Sequence, residues 1–398
     1  MRSRRDYLIS AAALAVGKPL SAFQDASSAT SQRVVVVMFD GFGLDYYEKS
    51  TAPTLHRWQK EGLFKRVQGV MPSVTNANNT SICCGVFPKV HGITGNSYLD
   101  TSTGREEYME DGNLLRAPTL FEHGARKGVS SALLSSKKKS ISLLRKGTSF
   151  AMTAEEPTPE WVNRLGPPPQ IYSREINYWL MRAAIHVLKN RPEIGCLYIH
   201  TTDYPMHTWA PEAFESKEHL GRLDALLGEA ASVAPDAAFL VTGDHGMHHK
   251  QRCWDLAKAC RNRQVAVRVA ISAERDRYLK HHQGFGGTSW VYLQHHADAD
   301  RVAAVLLQLT GVEQVLSRAD AARAYHLMPD RIGDLAVFGD RDTVFGDLEE
   351  ETEALPPSYR SHGSRHELDV PLFVYNAAGA PGREFFANNL DLARWLYR

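Results

Sequence analysis

The sequence predicts an α/β fold: a mostly parallel central sheet with helices on both faces, plus a smaller α+β insert. Two observations predict it. Continuous apolar runs rich in β-branched residues, RVVVVMF at 33–39 above all, read as strands buried on both faces. Such runs alternate along the chain with helical stretches and without internal repeats, as in a parallel sheet covered by crossover helices. The 398 residues suffice for one large domain or two modest ones. A 43% hydrophobic and 23% charged composition is that of an ordinary globular protein.

The chain opens with Arg4-Arg5-Asp6-Tyr7-Leu8, a weakly apolar run to Val16, and the small residues Ser21 and Ala22. Charged, then apolar, then small is the order of a signal peptide. Adjacent arginines followed by an aromatic and a leucine resemble the twin-arginine export signal. The apolar run is too short for a permanent membrane anchor. Residues 1–30 therefore read as a twin-arginine-type signal peptide and linker. That implies the twin-arginine export machinery as a partner and a periplasmic or secreted location, cytoplasmic if the signal does not function.

The strand at 33–39 ends in Asp40-Gly41-Phe42-Gly43. Pro53 to Gly62 reads as a helix with proline at its start and glycine at its end. Phe64 to Val70 is a strand leading to Thr75 and to NANNTS, which should open a helix with Asn78, Thr80 and Ser81 as capping types. A helix over Pro118 to Gly128 and a strand over Val129 to Leu134 run into Ser135-Ser136-Lys137-Lys138-Lys139. Ser173 to Asn190 is an amphipathic helix, and the strand Cys196 to His200 runs into Thr201-Thr202-Asp203 and on to His207. A helix around Leu220 to Ala231 precedes the strand Ala237 to Thr242, which ends in Gly243-Asp244-His245-Gly246.

Residues 251–350 are less regular. Strand-like Val265 to Ile271 and Trp290 to Leu293 mix with helical Ala299 to Leu309, which defines the insert. Residues 31–250 and 351–398 form the core, the second part bringing His362, a last core strand over Val370 to Tyr375, and a docking helix over Asn388 to Tyr397.

Composition removes some functions. A net charge of +1 gives no global basic field, so nucleic acid is not expected as an obligate partner. Five cysteines match no zinc-ribbon spacing, and Cys253 and Cys260 on one predicted helix are poorly placed to pair, so no disulfide framework is expected.

Three strand ends carry Asp40, Asp203 with His207, and Asp244 with His245, and His362 sits in the loop before a fourth strand. Singly, each is as well explained as a turn or cap residue. Together they gather where open α/β sheets bind ligands, at the carboxyl ends of parallel strands. Oxygen and imidazole donors without thiolate suit zinc, with manganese or iron as alternatives. Counting Thr75, the donors are too many for one tetrahedral ion and divide into two sites. A metal pair can clamp the attacking and leaving oxygens of a phosphoryl displacement. Thr75 at a helix N-terminus would meet an arriving anion such as phosphate, and a metal-activated hydroxyl is a competent nucleophile.

The segments FDGFG, PSVTNANNTSICCG, HGITGN, TTDYPMH, TGDHGM and RSHG, in this order over about residues 33 to 375, resemble the alkaline phosphatase superfamily. The branch is that of nucleotide pyrophosphatase/phosphodiesterases and phosphonoacetate hydrolase. The resemblance implies one Zn2+ held by Asp40, Thr75, Asp244 and His245, and a second by Asp203, His207 and His362. It further implies Thr75 as the nucleophile of a phosphothreonine intermediate, Asn96 as a donor to a phosphoryl oxygen, and the insert as a cap. Ala77 departs from the proline common at that position, which should cost rigidity more than chemistry.

The stretch SSKKKSISLLRKG resembles the phosphonoacetate hydrolase segment in which two lysines, one residue apart, hold the substrate carboxylate. By ungapped match these are Lys137 and Lys139, which implies hydrolysis of the C–P bond of phosphonoacetate to acetate and phosphate. Expelling a carbanion needs delocalisation into a carboxylate and cations to hold the growing charge. The alternative is an exported phosphodiesterase or nucleotide pyrophosphatase on the same metals, which the export signal favours. A third reading is a catalytically silent binding protein. The expected ligand is a small-molecule phosphonate or phosphate ester, and the oligomeric state stays open, a homodimer included.

Overall fold

The structure is a computed structural model that describes residues 32–277 and 283–398. The signal-peptide reading of residues 1–30 lies outside the described residues.

The strands that organise it are β1 (Val34–Phe39), β2 (Leu63–Gln68), β3 (Ser130–Ser135), β4 (Phe150–Thr153), β5 (Ile194–His200), β6 (Ala238–Gly243), β7 (Val267–Ser272), β8 (Thr288–Leu293), β9 (Val312–Ser317), β10 (Leu335–Gly339) and β11 (Asp369–Tyr375). A seven-stranded sheet has the order β2-β11-β6-β1-β5-β3-β4. β1 is central and parallel to β5 and β6, with Val36 opposite both Tyr198 and Leu240. β3 is parallel to β5 and to β4, a strand the sequence reading did not anticipate. β11 runs antiparallel to β6 and β2. Its direction brings the loop before it, with His362, to the same edge as the carboxyl ends of β1, β5 and β6.

The β1 run is apolar at every position because both faces are covered. Val35, Val37 and Phe39 pack with Leu180, Ala184, Leu223 and Leu227, while Val34, Val36 and Met38 join Ile82, Phe121 and Tyr198. At roughly 1.5–3 kcal/mol for each fully buried aliphatic or aromatic side chain, this fixes the run at the sheet centre. The covering helices include α1 (Pro53–Glu61), α2 (Thr75–Cys84), α3 (Leu120–Arg126), α4 (Lys138–Leu144), α5 (Glu175–Asn190), α6 (Tyr204–Thr208) and α7 (Phe214–Val233). α7 begins well before the anticipated Leu220.

A second sheet, β7-β8-β10-β9, is antiparallel throughout and lies within the insert. One face packs Val291, Leu293 and Val337 in an apolar cluster of its own, and the other packs Trp290, Tyr292 and Phe338 against Met71 and Leu99 of the core.

Two local expectations are corrected. α2 starts at Thr75 itself with Val74 at the N-cap and no side-chain cap, so Asn78, Thr80 and Ser81 lie inside the helix. Asn78 instead bonds the main chain of Val70 and Pro72, holding the approach to the helix. The C-terminal docking helix is a short 3-10 turn, Asn389–Asp391, followed by further turns. Asp391 accepts from the Ala387 and Asn388 N–H groups in a capping box that opens the turn, Asn389 bonds the main chain of Gly243 and Asp244, and the segment docks through buried Leu390, Leu392 and Leu396. Among the described residues, no helix is long and apolar enough to cross a membrane. All five cysteines are buried and free, Cys253 and Cys260 included.

Candidate active site

Each strand end delivers its side chain by main-chain geometry. Asp40 follows β1, and its N–H donates to Thr201 Oγ1 at 2.9 Å. Gly41 then turns with φ +72°, and a Cβ there would meet Asp203 Cβ at 3.1 Å, so this turn needs glycine. Asp244 follows β6, its Oδ1 accepting from the Gly41 and His245 N–H groups at 2.9 Å each. Asp203 precedes α6 and places His207 one turn on.

The three histidines share one arrangement. His207 Nδ1 donates to Arg360 O at 2.8 Å, His245 Nδ1 to Gly246 O at 2.9 Å, and His362 Nδ1 to Ser73 O at 2.8 Å. With Nδ1 engaged by a carbonyl, each ring presents its Nε2 to the cluster. His207 Nε2 lies 3.1 Å from Asp203 Oδ2, His245 Nε2 3.2 Å from Asp244 Oδ2, and His362 Nε2 3.7 Å from Asp203 Oδ2. Asp244 Oδ2 and His362 Nε2 are buried with no hydrogen-bond partner. Lone pairs facing carboxylate oxygens in a dry site repel one another, and a cation between them relieves this.

Two overlapping groups meet that requirement. Asp40, Asp244 and His245 bring ligand atoms within 4.8 Å of one another, and so do Asp203, His245 and His362. His245 is common to both, and its ring stacks on His362 at 3.7 Å. All of these groups are buried. The donor set fits one or two divalent cations, and the absence of thiolates suits zinc, manganese or iron.

Thr75 reaches the cluster from the first position of α2, its Oγ1 3.3 Å from Asp40 Oδ1 and 3.4 Å from His245 Nε2. Asn96 touches none of these groups directly. Its side-chain amide donates to Glu274 O at 3.1 Å, while its main-chain carbonyl accepts from the Met109 N–H, and the Met109 carbonyl accepts from the Asn76 amide of α2.

Lys137 joins the cluster. Its Nζ lies 2.6 Å from Asp40 Oδ2 and 2.9 Å from Asp203 Oδ1. Burial and the Asp203 charge push the Asp40 carboxyl up, but Lys137 and His200 outweigh them and hold it below the usual carboxylate range. Asp203, buried beside Lys137 and His207, is likewise held low. Asp244 goes the other way, raised by burial and by Asp40. Burial keeps the His245 and His362 imidazoles below their ordinary value and thus neutral. Lys139 is not in the cluster but pairs with Asp276, and Lys138 turns outward to Glu156 at 2.6 Å. Lys137, Lys139, Tyr172, Thr202 and Asp276 wall a cavity of about 510 Å³ beside the cluster.

Several participants were missed from sequence. His200, the last residue of β5, lies 3.2 Å from Asp40 Oδ2, and its strand-end position was the available signal. Glu274, after β7, brings Oε1 to 3.5 Å from His362 Nε2, and nothing in the irregular insert marked it. Glu367 binds the Ser364 and Gly246 N–H groups and pairs with buried Lys250 at 2.8 Å, tying the His362 loop to the His245 loop.

The model of the type I phosphodiesterase / nucleotide pyrophosphatase family matches residues 34–366. The chain is 27% identical over 235 residues to bis(5'-adenosyl)-triphosphatase ENPP4 of Bos taurus, covering 56% of this chain and 49% of that protein. It thus spans about half the length of the curated relatives it matches. Among solved structures, phosphonoacetate hydrolase from Sinorhizobium meliloti 1021, in complexes with phosphonoformate and with phosphonoacetate, superposes with a TM-score of 0.82 at 30% identity, covering 92% of this chain and 95% of that one. Murine ectonucleotide pyrophosphatase / phosphodiesterase 5 shares the fold, with a TM-score of 0.64 at 17% identity over 86% of this chain and 88% of that one. The chain belongs to the type I phosphodiesterase / nucleotide pyrophosphatase family, within the alkaline phosphatase superfamily.

Proposed function

We propose that this member of a family of metal-dependent phosphorus-bond hydrolases cleaves the C–P bond of phosphonoacetate, giving acetate and phosphate. The observation that carries the reading is the pair Lys137 and Lys139 at the wall of the cavity beside the cluster. The 30% identity to a phosphonoacetate hydrolase over most of both chains supports it.

On this reading Asp40, Thr75, Asp244 and His245 hold one Zn2+, and Asp203, His207 and His362 the other. Bound there, the ions favour the alkoxide form of a hydroxyl and offset charge on a phosphoryl group. The Thr75 oxygen attacks phosphorus as the C–P bond breaks, its electron pair passing to the methylene carbon and into the adjacent carboxylate. Lys137 and Lys139 hold that carboxylate and the charge growing on it. Lys137 must turn from Asp40 and Asp203 toward the cavity to do so. Asn96 carries two amide N–H groups, so one remains for a phosphoryl oxygen beyond the bond to Glu274 O. The Thr75 proton passes to solvent, the carbanion takes one up from water and leaves as acetate, and a further water hydrolyses the phosphothreonine to regenerate Thr75 and release phosphate.

The alternative is a phosphodiesterase or nucleotide pyrophosphatase on the same residues, as the family name and the ENPP4 relatives suggest. The test is phosphate release from phosphonoacetate beside turnover of a p-nitrophenyl phosphodiester, for wild type and Lys137→Ala/Lys139→Ala. Preference for phosphonoacetate, lost only for that substrate in the variant, supports C–P cleavage. Preference for the diester with an indifferent variant supports the phosphodiesterase. Export through the twin-arginine machinery is proposed from Arg4-Arg5 alone, and cell fractionation of wild type against Arg4→Lys/Arg5→Lys checks it.

A further inference from the structure

The chain leaves β7 at Ser272 and crosses directly to the active site. The Asn96 N–H donates to Ala273 O at 2.7 Å and the Asn96 amide to Glu274 O at 3.1 Å, which docks the crossing segment on the core. Its side chains then alternate. Arg275 pairs with Glu106 at 2.9 Å and with Asp347 at 2.8 Å. Glu274 faces His362, and Asp276 sets its carboxylate on the Lys139 ammonium. The Asp276–Lys139 pair is withdrawn from water, with side chains 4% and 10% exposed, and both residues wall the 510 Å³ cavity.

A ligand carboxylate that is to reach Lys139 therefore finds another carboxylate already there. We propose that Asp276 is a specificity-determining residue of this pocket, an internal carboxylate that competes with the carboxylate of an incoming phosphonate for Lys139. The inference rests on the reading above that Lys139 receives the substrate carboxylate. The apparent affinity for a carboxylate-bearing phosphonate is then reduced by the fraction of molecules in which Lys139 is held by Asp276. A phosphonate without a carboxylate gains nothing from Lys139 and is indifferent to Asp276.

The experiment is calorimetric titration of zinc-loaded enzyme with phosphonoformate and with methylphosphonate, which differ by the carboxylate. Asp276→Asn and Asp276→Ser are expected to tighten phosphonoformate by about tenfold and leave methylphosphonate unchanged, by release of Lys139. Asp276→Glu should behave as wild type, and Lys139→Gln should remove both the carboxylate preference and the effect of Asp276→Asn. An unchanged preference in Asp276→Asn and Asp276→Ser, or equal weakening of both ligands, would make the pair a structural strut and overturn the proposal. If neither variant folds, a crystal structure of the wild-type complex with phosphonoformate decides: a broken Asp276–Lys139 contact supports it, a retained one overturns it. Because binding is read without turnover, failure to cleave phosphonoacetate would sink the proposed reaction while leaving this result interpretable.

Discussion

The buried cluster and the cavity beside it are built by different means. Asp40, Asp203, Asp244, His245 and His362 are short or rigid side chains in the turns beside strand ends, His207 sits on the short helix α6, and the three imidazoles are each oriented by a backbone carbonyl. The cavity wall includes long lysines that pair with carboxylates from separate parts of the chain, Lys137 with Asp40 and Asp203 and Lys139 with Asp276. Positions fixed by the main chain change little without changing the fold, whereas lysine partners change with one substitution. In the function proposed above, the cluster carries the chemistry and the wall selects the leaving group.

That contrast can be broken from the cluster side first. Thr75→Ala should lower turnover of phosphonoacetate and of any phosphodiester alike, by roughly 10⁴-fold or more on the scale of nucleophile removal. Single-turnover assays with both substrates check it, and a loss confined to one would show that Thr75 is not the common nucleophile. Next is Lys137→Ala/Lys139→Ala, expected to cost phosphonoacetate about 10²–10³-fold in kcat/KM, as for loss of donors to a developing anion. The diester should change by less than about tenfold, since its leaving group carries no carboxylate.

The frame behind the cluster gives the third effect. Removing Glu367 leaves Lys250 buried without its carboxylate, and breaking a buried pair costs about 3–5 kcal/mol. Burial raises the Glu367 carboxyl, but Lys250 and His248 outweigh this and hold it far below 4.5. A carboxyl depressed in the folded state stabilises fully above its unfolded value, and that contribution is lost as pH falls through and below about 4.5. Denaturant unfolding of wild type should show this acid loss, and Glu367→Gln should lower stability at neutral pH while removing this group's share of the acid loss. Chelation should lower the stability of the wild type as well, by about 4 kcal/mol if the ion stands at a thousand times its dissociation constant. The smallest effect is Lys138→Ala, within about 0.5 kcal/mol and without change in either activity, because its partner Glu156 is as exposed as it is.

The same contrast explains what the sequence revealed. The strand ends that meet in the cluster were legible because apolar runs stop shortly before Asp40, Asp203 and Asp244, and a topological rule brings such ends together. The order of the strands and the reversed direction of β11 were not legible, because a buried strand reads alike in either direction. The C-terminal helix was misread because Asn389 bonds main chain of Gly243 and Asp244 that only the folded molecule brings near. Glu274 and Asp276 carried no local pattern at all. Their meaning depends on a segment of the insert crossing to Asn96, which is a tertiary fact.

The central claim is C–P cleavage, and ³¹P NMR of phosphonoacetate incubated with zinc-loaded enzyme tests it most directly. The expected result is conversion of the phosphonate resonance to inorganic phosphate, matched mole for mole by acetate in the proton spectrum. A phosphonate resonance that persists while the same preparation consumes a phosphodiester would contradict it.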